Sequence, residues 1–291
     1  MLSGLFRKDP TVTITINGNA ELKEKYGHLL TEDIPIYGQN ETVTGKLTIT
    51  PPGKSVQHKG INLRLFGEYR NEKGERLSRF YERSQFLTPE GTLSQEINTD
   101  FKFDHLSYPT GSYYGVGVSA VYGIEVIIVH RISDFVVQKP FAVMIFAPRP
   151  EPVSIHNEVG IRNVLHIEFV FPQTQYDIND SISGAAFFIL VKLRIVYMSI
   201  SVYCNEIFED SNTYIKKRTV LNTYEIMDGS PVRGDNIPIR LFLGNSHIWS
   251  FKGYRDSPLK VEHYLRVQLI DENGKRYFKR MKVTFDRFAS E

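Results

Sequence analysis

Cysteine is almost absent: Cys204 is the only one in 291 residues. A single thiol excludes an internal disulfide and leaves no set of cysteines to hold a structural zinc, so a reducing compartment is expected. Long apolar runs are missing too. AAFFILV at 185–191 falls far short of a membrane span, and MLSGLFRKDP at the start has no apolar core of signal-peptide length. These absences point to the cytosol. An excess of one charge is also lacking, since 35 basic and 33 acidic residues leave a net charge of +2. No basic face large enough to drive nucleic-acid or lipid binding is expected.

Catalytic motifs are equally scarce. GVG at 115–117 lacks the third glycine and the helix of a dinucleotide site, and no GxSxG, Walker, HExxH or CxxC pattern occurs. DINDSIS at 177–183 spaces oxygens like a calcium loop, but the central Gly is missing and Phe188 stands where the closing Glu belongs. The histidines are scattered; His166, in VLHIEF, reads as a strand residue rather than a ligand. No cofactor, metal or catalytic residue is assigned.

What the chain does contain is period-two alternation. TVTITI puts Val12, Ile14 and Ile16 on one face, and INLRLFG does the same with Ile61, Leu63 and Leu65. KLRIVYMSISV (192–202) and YLRVQLIDENGKRYFKRMKVTF (264–285) repeat the style, the latter as two strands joined at Asn273-Gly274. Asn71-Glu72-Lys73-Gly74 marks a second turn, and ELKEKYGHLL (21–30) offers a short helical turn or two. The expected fold is all-β. Antiparallel strands with frequent turns suggest an immunoglobulin-like sandwich, and the length favours two of them.

PRPEP at 148–152 concentrates residues that lack backbone donors, which predicts a linker between domains at 1–147 and 153–291. Each half opens with the same pattern. YGQNETVTG (37–45) and YDINDSISG (176–184) both read Tyr, two residues, Asn, acid, hydroxyl, β-branched, hydroxyl, Gly. The pattern predicts a turn entering a strand, with Gly45 and Gly184 allowing a close backbone approach. Lys216-Lys217-Arg218 reads as a solvated loop and Trp249 as local packing.

YEIMDGSPVRGDNIPIRLFLG (224–244) resists a purely structural reading. Asp228-Gly229-Ser230-Pro231 is a turn, and Ile226 and Met227 stand directly before it, placed either in the core or before a partner. This stretch resembles the vacuolar protein sorting-associated protein 26 family, as do EVGIRNVLHIEFVF (158–171), YDINDSISGAAFFILVKLRI (176–195) and LIDENGKRYFKR (269–280). TVTITINGN, GQNETVTGKL, PPGKSVQHKGINLRLFGE and HRISDFV extend the likeness more loosely into the first half.

The resemblance implies two tandem sandwiches of the arrestin fold in a non-enzymatic scaffold of retromer, peripheral on endosomal membranes and serving endosome-to-Golgi retrieval. It implies a large α-solenoid partner held by a second-domain loop, mapping onto Tyr224, Ile226, Met227, Asp228, Gly229, Pro231 and Val232. Sorting nexins and cargo tails are expected near the domain junction, at a strand Ile161–Phe169 that is either an edge open to strand addition or an ordinary core strand, with Ile161, Leu165, Ile167 and Phe169, and around Phe278. Membrane contact is then indirect. The alternatives are an arrestin-like adaptor of another assembly, such as retriever, and a ligand-binding or catalytic sandwich with a deep polar pocket.

Overall fold

A computed structural model of the protein describes residues 9–53, 55–244 and 248–289. The opening MLSGLFRK, read for its lack of a signal segment, lies outside them. The chain forms two compact units: one comprises the residues up to Tyr114 and Ser119–Ile145, the other Gly115–Val118 and Phe146–Glu291. Ala147 already donates its N–H to Arg287 O at 2.8 Å and bridges Phe288, so pairing within the second unit begins before PRPEP, which has no regular structure.

In the first unit the strands are β1 (Thr11–Ile16), β2 (Ile36–Gly38), β3 (Val43–Thr50), β4 (Val56–His58), β5 (Gly60–Asn71), β6 (Arg76–Thr88), β7 (Gly91–Leu93), β8 (Ile97–Phe103), β9 (Tyr113–Tyr114), β10 (Val118–Val129) and β11 (Phe135–Met144). Two sheets, ordered β1-β3-β8 and β2-β11-β10-β5-β6, face a shared core, and β4 pairs β7. The alternation explains which side chains enter it: Ile14, Ile16, Ile61, Leu63 and Leu65 are all buried there. The helical signal becomes α1 (Ala20–Tyr26) and one further 3-10 turn. Asn19 caps α1, its Oδ1 accepting the Leu22 N–H at 3.0 Å.

The second unit consists of β12 (Ile155–Ile161), β13 (Leu165–Phe171), β14 (Gln175–Asp177), β15 (Ser181–Val191), β16 (Ile195–Glu209), β17 (Tyr214–Asp228), β18 (Asn236–Phe242), β19 (Leu259–Asp271) and β20 (Arg276–Asp286). Its sheets run β12-β13-β15-β18 and β14-β20-β19-β16-β17. The order of the two main sheets reproduces that of the first unit, with β12 added at one edge and without counterparts of β4, β7 and β9. The protein is therefore nearly all β and built as two sandwiches. Gly274, at φ +79, turns the β19–β20 hairpin where Asn273-Gly274 predicted it.

The repeated pattern has one physical meaning in both copies. Tyr37 and Tyr176 are buried on short strands that pair in parallel with β11 and β20, and burial pushes both phenols up to about 12. The acid then closes the turn. Glu41 Oε2 accepts the Gly38 N–H at 2.8 Å, and Asp180 Oδ2 accepts the Asp177 N–H at 3.4 Å. Each glycine leaves room for a phenylalanine: a Cβ on Gly45 would lie 2.5 Å from Phe101, and one on Gly184 would lie 2.5 Å from Phe171. The oxygens that suggested a calcium loop thus hold a turn, Asp177 also accepting the N–H groups of Asn179 and Phe288.

Two expectations fail here. Ile161–Phe169 is not an edge strand: Ile161 ends β12, Asn163 turns the chain at φ 61, and β13 is bonded on both sides, to β12 and β15. The alternation in LHIEF sends Leu165, Ile167 and Phe169 into the core, each at most 1% exposed. Lys216-Lys217-Arg218 lies within β17 rather than in a loop, because β16 and β17 form one long hairpin.

Candidate partner-binding site

The segment singled out by sequence occupies the end of an edge strand. β17 pairs only with β16 in its sheet, and it runs on through Asp228. Tyr224, Ile226, Met227 and Asp228 therefore belong to a strand, not to the loop expected. The reason is local. Met198 pairs Met227 while Ser199 pairs Glu225, which leaves Ile226 as the extra residue of a bulge. A bulge adds twist and re-aims its side chain, so the strand continues while its last apolar residues turn. Ile226 and Met227 are both half-buried.

Beyond Asp228 the turn is short and tied down. Gly229, at φ +140, donates its N–H to Val196 O at 3.0 Å, and Arg194 Nε donates to Ser230 Oγ at 2.9 Å. Pro231 is buried and fixes the exit, whereas Val232 is 63% exposed and its N–H is held by Asp235 Oδ2 at 2.7 Å. Tyr224 Oη donates to Phe242 O on β18, linking the two sheets of this unit. Phe242 is itself 63% exposed. Sequence reasoning missed it, although Ile237, Ile239 and Leu241 alternate with Pro238, Arg240 and Phe242, which sets Phe242 on the opposite face.

Phe278 stands elsewhere, on the outward face of β20. It is 46% exposed, with the Arg266 guanidinium 4.0 Å from its ring centre. β14 pairs only with Thr284–Asp286, so the start of β20 is an open edge. Of the residues expected to meet cargo, the structure places Phe278 on an accessible edge strand and Leu165, Ile167 and Phe169 in the core. Ile161, the last residue of β12, lies at the other sheet's edge.

A cleft elsewhere contains none of these residues. An open cleft of about 890 Å³ in the first unit is lined by His58, Lys59, Glu90, His130 and Asp134. Burial and the neighbouring His130 hold His58 below its ordinary range. Three of its charged groups are engaged: Lys59 pairs with Glu90, and Asp134 accepts the backbone N–H of His130 at 3.2 Å. Trp249 is buried, with Arg287 4.9 Å from its ring centre. Among the described residues no cluster of His, Cys, Asp and Glu could hold a metal ion, and no helix is long and apolar enough to cross a membrane.

Residues 10–274 match the family described as vacuolar protein sorting-associated protein 26. Vacuolar protein sorting-associated protein 26B of Danio rerio is 34% identical over 97% of this chain and 87% of its own. The 26B protein of Xenopus tropicalis is 34% identical over 87% of this chain and 76% of its own, and that of Pongo abelii 33% over 97% and 86%. The match spans both sandwiches and includes the β17 end with its bulge and turn; the chain belongs to the vacuolar protein sorting-associated protein 26 family.

Proposed function

We propose that this protein is a non-enzymatic scaffold in vacuolar and endosomal protein sorting, the arrestin-like subunit of a retromer-type complex. It would bind the large α-solenoid subunit through the end of β17 and the turn that follows, Tyr224 to Val232, with Ile226 and Met227 as anchors. Sorting nexins and cargo tails would meet the chain elsewhere, Phe278 being the exposed candidate. The complex would then work in the cytoplasm, peripheral on endosomal membranes, in endosome-to-Golgi retrieval.

The observation that carries this reading is the family match across nearly the whole chain, coupled to an apolar strand end with half-buried Ile226 and Met227 and a turn that leaves Val232 open to solvent. Half-buried anchors beside an exposed apolar neighbour suit a surface covered by a partner helix. Affinity capture with mass spectrometry tests the assignment. Recovery of the retromer solenoid is expected; recovery of the solenoid of a different assembly, or of none, would contradict it.

A further inference from the structure

On the outward face of the β17-β16-β19-β20 sheet, cross-strand register sets Arg266 directly opposite Arg280. Like charges so placed weaken an antiparallel pair. Arg266 Nη1 donates to Tyr203 Oη at 2.8 Å and the guanidinium stacks on Phe278, both uncharged partners, while its Nε is buried with no hydrogen-bond partner. Arg280 is exposed and forms no ion pair among the described residues. Two acids lie nearby on the face and neither pairs with the arginines: Glu225 lies one row along, two strands away, and Glu262, two rows along β19, accepts from Lys282 Nζ at 2.7 Å and from Tyr264 Oη at 2.9 Å. No carboxylate among the described residues pairs with either arginine, so the charge is open to a partner.

We infer that Arg266 and Arg280 form the centre of a binding site for an acidic peptide segment of a partner protein. Exposed Arg280 presents a planar donor fork that matches a carboxylate in bidentate geometry, Arg266 adds positive charge beside it, and the adjoining rings of Tyr203 and Phe278 supply apolar cover for the peptide chain. The cationic ground is bounded. Glu225 and Asp228 occupy the same face on β17, opposite Ser199 and Tyr197, with Glu225 one row from Arg266 and Asp228 farther on. An anionic bilayer laid on the face would meet those acids as well, whereas a peptide running along the open start of β20 past Arg280 lies three strands from them. The inference rests on the arginine pair and not on the retromer reading.

Fluorescence anisotropy with a labelled peptide of alternating Glu and Ser tests it, beside a Lys-Ser peptide and phosphatidylserine vesicles. The acidic peptide binds, more weakly as salt rises. Arg280→Gln weakens it at least about tenfold. Arg280→Glu abolishes binding while raising the melting temperature, because an ion pair replaces a repulsive one. Solenoid affinity stays unchanged in both variants, which separates failure here from failure of the proposed function. Equal binding of the Lys-Ser peptide, indifference to Arg280→Gln, vesicle binding without peptide binding, or an Arg280→Glu variant no more stable than the parent would each overturn it.

Discussion

A methyl group is enough to disturb either copy of the repeated turn. On Gly45 it would fall 2.1 Å from Thr15 O as well as against Phe101, and on Gly184 2.7 Å from Val170 O as well as against Phe171. Backbone oxygens cannot retreat without breaking the ladder, so Gly45→Ala and Gly184→Ala are each expected to cost about 1–3 kcal/mol in urea denaturation. Equal stability to the parent would show that the close approach is not built in. His263 makes a different prediction. Its ring is buried with its centre 5.0 Å from that of Phe285, and burial lowers its pKa from 6.5 to about 4. Between those values the unfolded chain binds the extra proton, so the folded state is disfavoured as pH falls through that window and regains stability above 6.5. The loss by pH 4 is about 3 kcal/mol. Stability curves measured across this range should be flatter in His263→Leu, and unchanged curves would remove His263 as the cause.

Elements explain where sequence reading succeeded and where it stopped. The hairpin at Asn273-Gly274 and the alternation of β1 and β5 were legible because a strand's faces and a tight turn depend on neighbours in sequence. Edge or centre depends on partners far along the chain, and that is why β13 read as either. The distinction is measurable: Ile167→Ala should cost about 2–5 kcal/mol, whereas Phe278→Ala on the exposed face should cost less than about 1 kcal/mol. Comparable losses for the two would contradict the placement of β13. At β17 the turn signal of Asp228-Gly229-Ser230-Pro231 was real, but the bulge at Ile226, set by register against β16, lets the strand persist up to it. The Arg266–Arg280 pair was hidden for the same reason, since β19–β20 register alone brings the two together.

Over the whole molecule, one sandwich plan is used twice and then put to unequal use. The topological equivalent of β17 is β6, whose end leads through Pro89-Glu90 into β7, while the end of β17 carries Ile226, Met227 and the Gly229 turn. Net charge shows the limit of bulk composition: a value of +2 for the chain gives no hint of an uncompensated arginine pair on one sheet. The central claim is that the end of β17 binds the solenoid. Isothermal titration calorimetry of the full chain against the N-terminal part of the retromer solenoid tests it most directly, comparing the parent with an Ile226→Asp, Met227→Asn variant whose circular dichroism is unaltered. Truncating anchors of this kind commonly costs about 2 kcal/mol or more, so the account predicts measurable binding by the parent and an affinity at least about thirtyfold weaker in the variant. No binding by the parent, or equal affinity in the two, would contradict it.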